Sequence, residues 1–398
     1  MIEAFARTTD DVVSLAEFRA LLDSERQLVI KFGADVTAAF LHLGHAVNLW
    51  MMREMQERGH KVVFLVGDFT TRIGDPTGNS ATRVERSQAD IERDAAGFLR
   101  QVGRILITDD PAVFEARRNA EWWEGRPLDD FLGLLGSVTV AKLLSRDMFR
   151  ARMEAGVEIR LHELVYPVLQ GWDSVELRSD LTIVGSDQLF NESMGRVFQE
   201  RQGQRPQVII TTRITPGLDG GKKQSKSLNN FVALDDTPRD MFGKIMQLPD
   251  GLVVQWLEVY TTLPLAEIRQ IEAGLKAGDN PMAAKRLLGK AVVARLHGDT
   301  VAAAEEDWFL ETFSGRHFPT DAPVVRLPAG SRLLLNLLTG LEPGLSRSSL
   351  RRLVQDGAVE LDGRCLKQVD ALVCLAPGVA AELRLGRRRY FRLLAEGG

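Results

Sequence analysis

In the first half of the chain, short apolar runs alternate with longer stretches whose apolar positions recur at helical spacing. Gln27–Phe32 is β-prone and ends at Gly33, and Leu41–Glu57 has the spacing of one helix face before Gly59. Lys61–Val66 is a buried-strand pattern closed by Gly67 and Asp68. Strand, helix and strand in that order make a β-α-β unit. Leu181–Val184 and Gln207–Thr211 repeat the strand signal on either side of a helical stretch, Asn191–Glu200. The expected fold class is therefore α/β, with a doubly wound, Rossmann-like parallel sheet reaching about residue 215 and binding ligands at the carboxyl ends of its strands. Residues 90–155 are mostly helical by pattern and read as an insertion between the two halves of that sheet.

After Thr237 the pattern is wholly helical, through Met241–Gln247, Val253–Thr261, Leu265–Lys276, Met282–Leu296 and Val301–Phe313. The Pro- and Gly-rich stretch Ser314–Gly330 interrupts the periodicity. Four segments follow: a sheet domain over 1–220, a loop and helical domain over 221–315, a linker over 316–330, and a small α+β module over 331–398.

A chain of 398 residues is too long for one ordinary core, which agrees with that division. No apolar run approaches the roughly 20 residues needed to span a bilayer, so no membrane partner is expected. Met1–Asp10 has no basic start followed by an apolar stretch, and the expected location is cytoplasmic. Cys365 and Cys374 lack the spacing of a zinc site or disulfide framework, so no protein-bound metal is expected. A net charge of −4 is not that of a protein coating nucleic acid indiscriminately, but Ser346–Gly398 holds ten Lys or Arg against six Asp or Glu. Any RNA contact is expected to be local, and the basic charge is concentrated there.

His42-Leu43-Gly44-His45 stands where the first strand hands over to the first helix, placing two imidazoles at the positive end of a helix dipole beside a glycine. That arrangement suits phosphate. Gly221-Lys222-Lys223-Gln224-Ser225-Lys226-Ser227 is a glycine-entered loop just after the last sheet strand, whose lysines could follow phosphate charge as it develops. An isolated His-x-x-His is more often a polar helix start, and a lone lysine loop is more often a solvated surface. The two together, in this order and flanking the second half of the sheet, are far more specific. In Tyr166-Pro167-Val168-Leu169-Gln170-Gly171-Trp172-Asp173, Tyr166, Gln170 and Asp173 fall at i, i+4 and i+7, so one helix face presents a phenol, an amide and a carboxylate.

The paired signatures resemble those of class I aminoacyl-tRNA synthetases, with Gln224 where that family commonly carries methionine. Gly67-Asp68-Phe69-Thr70-Thr71-Arg72-Ile73-Gly74-Asp75-Pro76-Thr77-Gly78, the Tyr166–Asp173 stripe and Gly185-Ser186-Asp187-Gln188 resemble the tyrosyl-tRNA synthetases in particular, and the likeness runs from about Leu28 to Arg392. This resemblance implies activation of tyrosine by ATP, accompanied by Mg2+, and transfer to tRNA, in a homodimer. It implies catalytic roles for Thr37, His42, His45, Arg83, Lys223 and Lys226. Substrate binding would fall to Lys31, Asp35, Thr70, Asp75, Tyr166, Gln170, Asp173 and Gln188, with Asp173 accepting from the phenol and Asp75, Tyr166 and Gln170 holding the ammonium group. ATP would meet Gly44, Gly185, Asp187, Lys223, Ser225 and Lys226, with Asp187 on the ribose hydroxyls. The last module resembles the RNA-binding domain of bacterial tyrosyl synthetases, which is shared with a small-subunit ribosomal protein. Ser346 would cap its helix, and Arg347, Arg351, Arg352, Arg387 and Arg388 would face RNA phosphates.

The chain departs from the family pattern at Ala34, Arg72, Trp172 and Val184, all close to the implied substrate site, and at Asn79. Such a cluster leaves two other readings open. One is a paralogue that activates a modified tyrosine or another amino acid. The other is a non-enzymatic RNA-binding protein on the same scaffold.

Overall fold

The computed structural model describes residues 2–36, 40–76, 87–221, 223–224, 228–314, 318–319, 322–376, 378–386 and 389–396. Two compact units divide the chain, one made of Met1–Asp236 and Gln247–Val292, the other of Thr237–Met246 and Val293–Gly398.

The first unit is built on a six-stranded sheet of β1 (Thr9–Val13), β2 (Val29–Asp35), β3 (Lys61–Gly67), β4 (Phe114–Arg118), β5 (Leu181–Gly185) and β6 (Val208–Thr212). Their order is β1-β6-β5-β2-β3-β4, with β1 antiparallel to β6 and the remaining pairs parallel. The chain thus runs outward from β2 to β4 on one side and returns to β5 and β6 on the other. The switch point of a doubly wound sheet therefore falls between β2 and β5, the place where such sheets bind ligands. Residues 62–67 of β3 and all five of β6 are buried, as expected of strands covered on both faces.

Residues 90–155 do more than the helical pattern indicated. They supply β4, which pairs Val62 with Phe114 through Val66 with Arg118. The Phe-Glu-Ala-Arg-Arg sequence of that strand concealed it, because an edge strand with charged residues lacks the apolar run that betrays a central one.

Two helices set the far wall of the switch point, Leu161–Glu176 and Leu189–Arg201. They cross closely at Gly171, where an added Cβ would lie 2.8 Å from Met194 Cβ and 3.0 Å from the Gly195 nitrogen. A side chain there would push apart the helix that carries Tyr166, Gln170 and Asp173.

In the second unit, the helices Pro238–Ile245 and Asp299–Phe309 precede a module of seven strands. These are β7 (Val324–Pro328), β8 (Gly330–Leu333), β9 (Val359–Leu361), β10 (Arg364–Cys365), β11 (Leu372–Leu375), β12 (Ala380–Leu385) and β13 (Arg389–Glu396). A five-stranded sheet runs β10-β9-β12-β13-β7, and β11 pairs with β8. β7 lies inside the stretch 316–330 expected to be a linker. Its alternating Val325 and Leu327 pack against the module's core, and the prolines and glycines around them hid that short alternation. The helices Leu334–Leu341 and Arg347–Gln355 cover this sheet through residues such as Leu338, Leu350 and Val354. Trp308, Phe318 and Tyr390 join the module to the Asp299–Phe309 helix, with ring centroids 5.4 to 5.8 Å apart.

Replacing Gly171 by alanine is expected to cost about 1–3 kcal/mol, as overpacking does. A urea titration followed by tryptophan fluorescence should show the lower midpoint; an unchanged midpoint would mean that the crossing can open without cost.

Candidate active site

At the carboxyl ends of β2 and β5 lies a cleft of about 610 Å³, lined by residues from the signature segments singled out above between Lys31 and Gln224. Lys31, Ala34 and Asp35 come from β2, and Thr70 and Asp75 from the loop after β3. Tyr166, Gln170 and Asp173 come from one stripe of the Leu161–Glu176 helix, and Gly185, Asp187 and Gln188 from the end of β5 and the turn after it. His42, Gly44, His45 and Lys223 also line it.

The histidines begin the Leu43–Gln56 helix, and each has its Nδ1 occupied by a backbone N–H. Gly44 N donates to His42 Nδ1 and His42 N donates to His45 Nδ1, both at 3.2 Å. The neutral rings are thereby held with the proton on Nε2. Glycine at position 44 leaves room for this packing, since a Cβ there would lie 3.0 Å from the His42 ring and press on it.

Asp173 is buried, and its carboxylate accepts from Trp122 Nε1 (2.9 Å), Trp123 Nε1 (3.2 Å) and Asn119 Nδ2 (3.4 Å). Burial pushes its pKa up to about 7, against the opposing pull of the Lys31 charge and these three donors. Tyr166 donates to Asp35 Oδ2 at 3.0 Å, and Thr70 donates to Asp35 Oδ1 at 2.7 Å. Burial first, then the charges of Asp35 and Asp75, hold the Tyr166 phenol well above its usual pKa, so it stays protonated and acts as a donor.

Beneath these groups runs a continuous polar network. Lys31 Nζ pairs with Glu192 Oε2 at 2.8 Å and donates to Ser174 Oγ at 2.8 Å, with both members of the ion pair almost completely buried. Gln170 donates to Glu192 (2.9 Å) and accepts from Asn191 (2.8 Å); Asn191 donates to Gln188 (3.0 Å), and Gln188 donates to Asp75 (2.8 Å). Above the cleft, Lys223 Nζ pairs with Asp187 Oδ2 at 2.6 Å, and the buried Gln224 donates to Tyr260 at 2.7 Å.

Thr37, Arg83, Ser225 and Lys226 lie outside the described residues, as do Arg387, Arg388 and Asn79. Arg347, Arg351 and Arg352 are exposed on the helix that Ser346 caps through its contact with Ser349 N at 3.1 Å. Of the four departures near the site, Ala34 and Val184 line the cleft. Arg72 and Trp172 turn to outer carboxylates, Arg72 to Glu124 at 2.6 Å and Trp172 to Glu176 at 2.6 Å. Sequence reading missed Asn119, Trp122, Trp123, Ser174, Asn191 and Glu192. The adjacent tryptophans after an asparagine were the available signal, but they sat in the segment read only as an insertion.

A family model described as tRNA synthetases class I (W and Y) matches residues 23–314. Tyrosine–tRNA ligase 2 of Vibrio vulnificus is 39% identical over 388 residues, which span 97% of this chain and 96% of that protein. Tyrosine–tRNA ligase of Francisella tularensis is 37% identical over 395 residues, spanning 99% and 98%. Among solved structures, a C-terminally truncated mitochondrial tyrosyl-tRNA synthetase of Aspergillus nidulans is similar at a TM-score of 0.63 and 23% identity, over 78% of this chain and 94% of that one. The tyrosyl-tRNA synthetase of Archaeoglobus fulgidus complexed with L-tyrosine is similar at 0.58 and 20%, over 77% and 98%. At these identities the structural likeness speaks to fold alone.

Breaking the buried Lys31–Glu192 pair from either side should cost about 3–5 kcal/mol, because one charge is left in the interior. Lys31→Met and Glu192→Gln are each expected to destabilise by that amount in urea unfolding, while the double variant recovers most of the loss. A double variant no better than the sum of the singles would show the pair to be unimportant to folding.

Proposed function

The chain belongs to the class I tRNA synthetases for tryptophan and tyrosine, with the activity of a tyrosine–tRNA ligase, and we propose that the cleft at the switch point is where tyrosine and ATP react. An oxygen of the tyrosine carboxylate attacks the α-phosphorus of ATP. The bond from that phosphorus to the β-phosphate oxygen breaks, and pyrophosphate leaves with the electron pair. The terminal hydroxyl of tRNA then attacks the carbonyl carbon of the adenylate, and AMP leaves. Mg2+ enters as part of the ATP substrate, held by its phosphates.

The observation that carries the reading is Asp173, a buried carboxylate at the far end of the cleft, oriented by two indoles and an amide. In this reading it accepts the hydrogen of the tyrosine phenol. Asp75, Tyr166 and Gln170 receive the ammonium group, and Gln188 the neighbourhood of the carboxyl. Asp187 binds the ribose, which releases Lys223 from its ion pair toward the phosphates. His42 and His45 present Nε2–H donors to the developing phosphate charge. Thr37, Arg83, Ser225 and Lys226 take the phosphate-side roles that family membership implies.

Residues 1–220, together with Lys223, Ser225 and Lys226, carry out the chemistry, while the remainder of 221–315 and the module 331–398 meet tRNA, with Arg347, Arg351, Arg352, Arg387 and Arg388 serving its phosphates. A homodimer is supported by the run of helices and loops from 128 to 161, where Leu128, Leu132, Val140, Met153, Val157 and Leu161 are all exposed. No helix among the described residues is long and apolar enough to cross a membrane. Cys365 and Cys374 are free thiols, which suits a cytoplasmic setting.

A carboxyl raised to about 7 favours its protonated form in the folded chain. Its contribution to folding is therefore full below the ordinary carboxylate range and is lost as pH rises through about 7, whereas its power to accept from a phenol is gained over the same interval. Tyrosine-dependent exchange of pyrophosphate into ATP should rise in kcat/KM through about pH 7. Asp173→Asn should lower it roughly 10- to 100-fold and flatten that limb. A variant that keeps the wild-type profile would remove Asp173 from the phenol site.

A further inference from the structure

Arg146 sits between the helices Val140–Leu144 and Asp147–Glu154, in surroundings unusual for a cation. Only 7% of it is exposed, yet among the described residues no carboxylate pairs with its guanidinium and its Nη1 has no hydrogen-bond partner. Arginine this deeply buried is ordinarily paired, since an uncompensated charge in the interior is costly.

Aromatic rings hold it instead. Its Cζ lies 5.1 Å from the ring centroid of Phe190 and 5.8 Å from that of Phe149. Phe190 is two residues beyond Gln188, at the start of the Leu189–Arg201 helix, and Gln188 donates to Asp75 in the cleft. The ring therefore fixes the cation just behind the wall that carries Gln188. The negative charges that act on Arg146, against the cost of its burial, are those of Asp75 and Asp187, and these two line the cleft together with Tyr166.

These three groups bracket one point of the substrate. If Asp75 and Tyr166 receive the ammonium and Asp187 the ribose, what lies between them is the carboxylate of the amino acid and the α-phosphate it attacks. That junction is anionic throughout the first step, and the lysines and arginine that line the described cleft are engaged elsewhere: Lys31 with Glu192, Arg213 with Thr9 O and Glu258, and Lys223 with Asp187 and, once released, with the departing phosphates.

We propose that Arg146 supplies the positive charge for the tyrosine carboxylate and for the acyl-phosphate junction it becomes, acting from behind the Gln188 wall. Its lack of an ion-pair partner is then functional, because a neutralised guanidinium would project no field into the cleft. The inference rests on the tyrosine-activating reading and goes further by assigning the counter-charge of the carboxylate.

Equilibrium binding of L-tyrosine and of tyrosinol, which lacks the carboxylate, tests it on the full chain. Arg146→Met should raise the Kd for tyrosine by about tenfold or more and leave that for tyrosinol within about twofold. Arg146→Gln, uncharged but polar, should do the same, and Arg146→Lys should restore most of the tyrosine affinity. Equal weakening of both ligands in Met and Gln variants, or no change in either, would make Arg146 a structural prop and overturn the proposal. Wild-type protein that binds neither ligand would overturn the tyrosine reading itself, a separate failure.

Discussion

The constraint on which the site depends is the burial of charge at the switch point of the sheet. Lys31, Glu192 and Asp173 all lie in the interior, where a lone charge costs several kcal/mol. Each must therefore be surrounded by partners, and the partners determine the shape of the cleft floor. Glu192 gathers Lys31, Gln170 and Gln207; Asp173 gathers Trp122, Trp123 and Asn119. Asn191 and Gln188 carry the network on to Asp75, so groups at opposite ends of the cleft are tied through one chain of hydrogen bonds. Such a floor is organised before any ligand arrives, and that pre-organisation is what electrostatic catalysis requires.

The upper side of the cleft is arranged differently. Lys223 pairs with Asp187 across it with both side chains partly exposed, an interaction that a sugar hydroxyl can displace. Gln224, its neighbour, is buried and donates to Tyr260. One residue of this loop is thus anchored while the next carries a cation to the site. The histidines lie between these regimes, fixed in tautomer by backbone N–H groups yet lining the cleft.

Sequence alone made the doubly wound sheet readable, because β2, β3, β5 and β6 are apolar runs bounded by glycine or polar residues. The Tyr166, Gln170 and Asp173 stripe was equally legible, since helical spacing puts the three on one face and the structure brings all of them to the cleft. β4 and β7 were not, one because an edge strand tolerates Glu and Arg, the other because its alternation spans only a few residues between prolines. The groups around Asp173 and Lys31 were invisible for a different reason. Trp122 and Glu192 meet their partners across 51 and 161 positions of chain, and no local period encodes such a contact. Residues that looked alarming beside the motifs sorted themselves by direction: Val184 and Ala34 face the cleft, while Arg72 and Trp172 face outward carboxylates.

The central claim is that a buried, indole-held carboxylate selects the amino acid by accepting from its phenol. Its most direct test is the ratio of tyrosine to phenylalanine activation in pyrophosphate exchange, since the two substrates differ only in that hydroxyl. A large preference for tyrosine is expected of the native protein, because phenylalanine would leave the Asp173 carboxylate desolvated without its partner. Comparable activation of the two would contradict it and place selection elsewhere in the cleft.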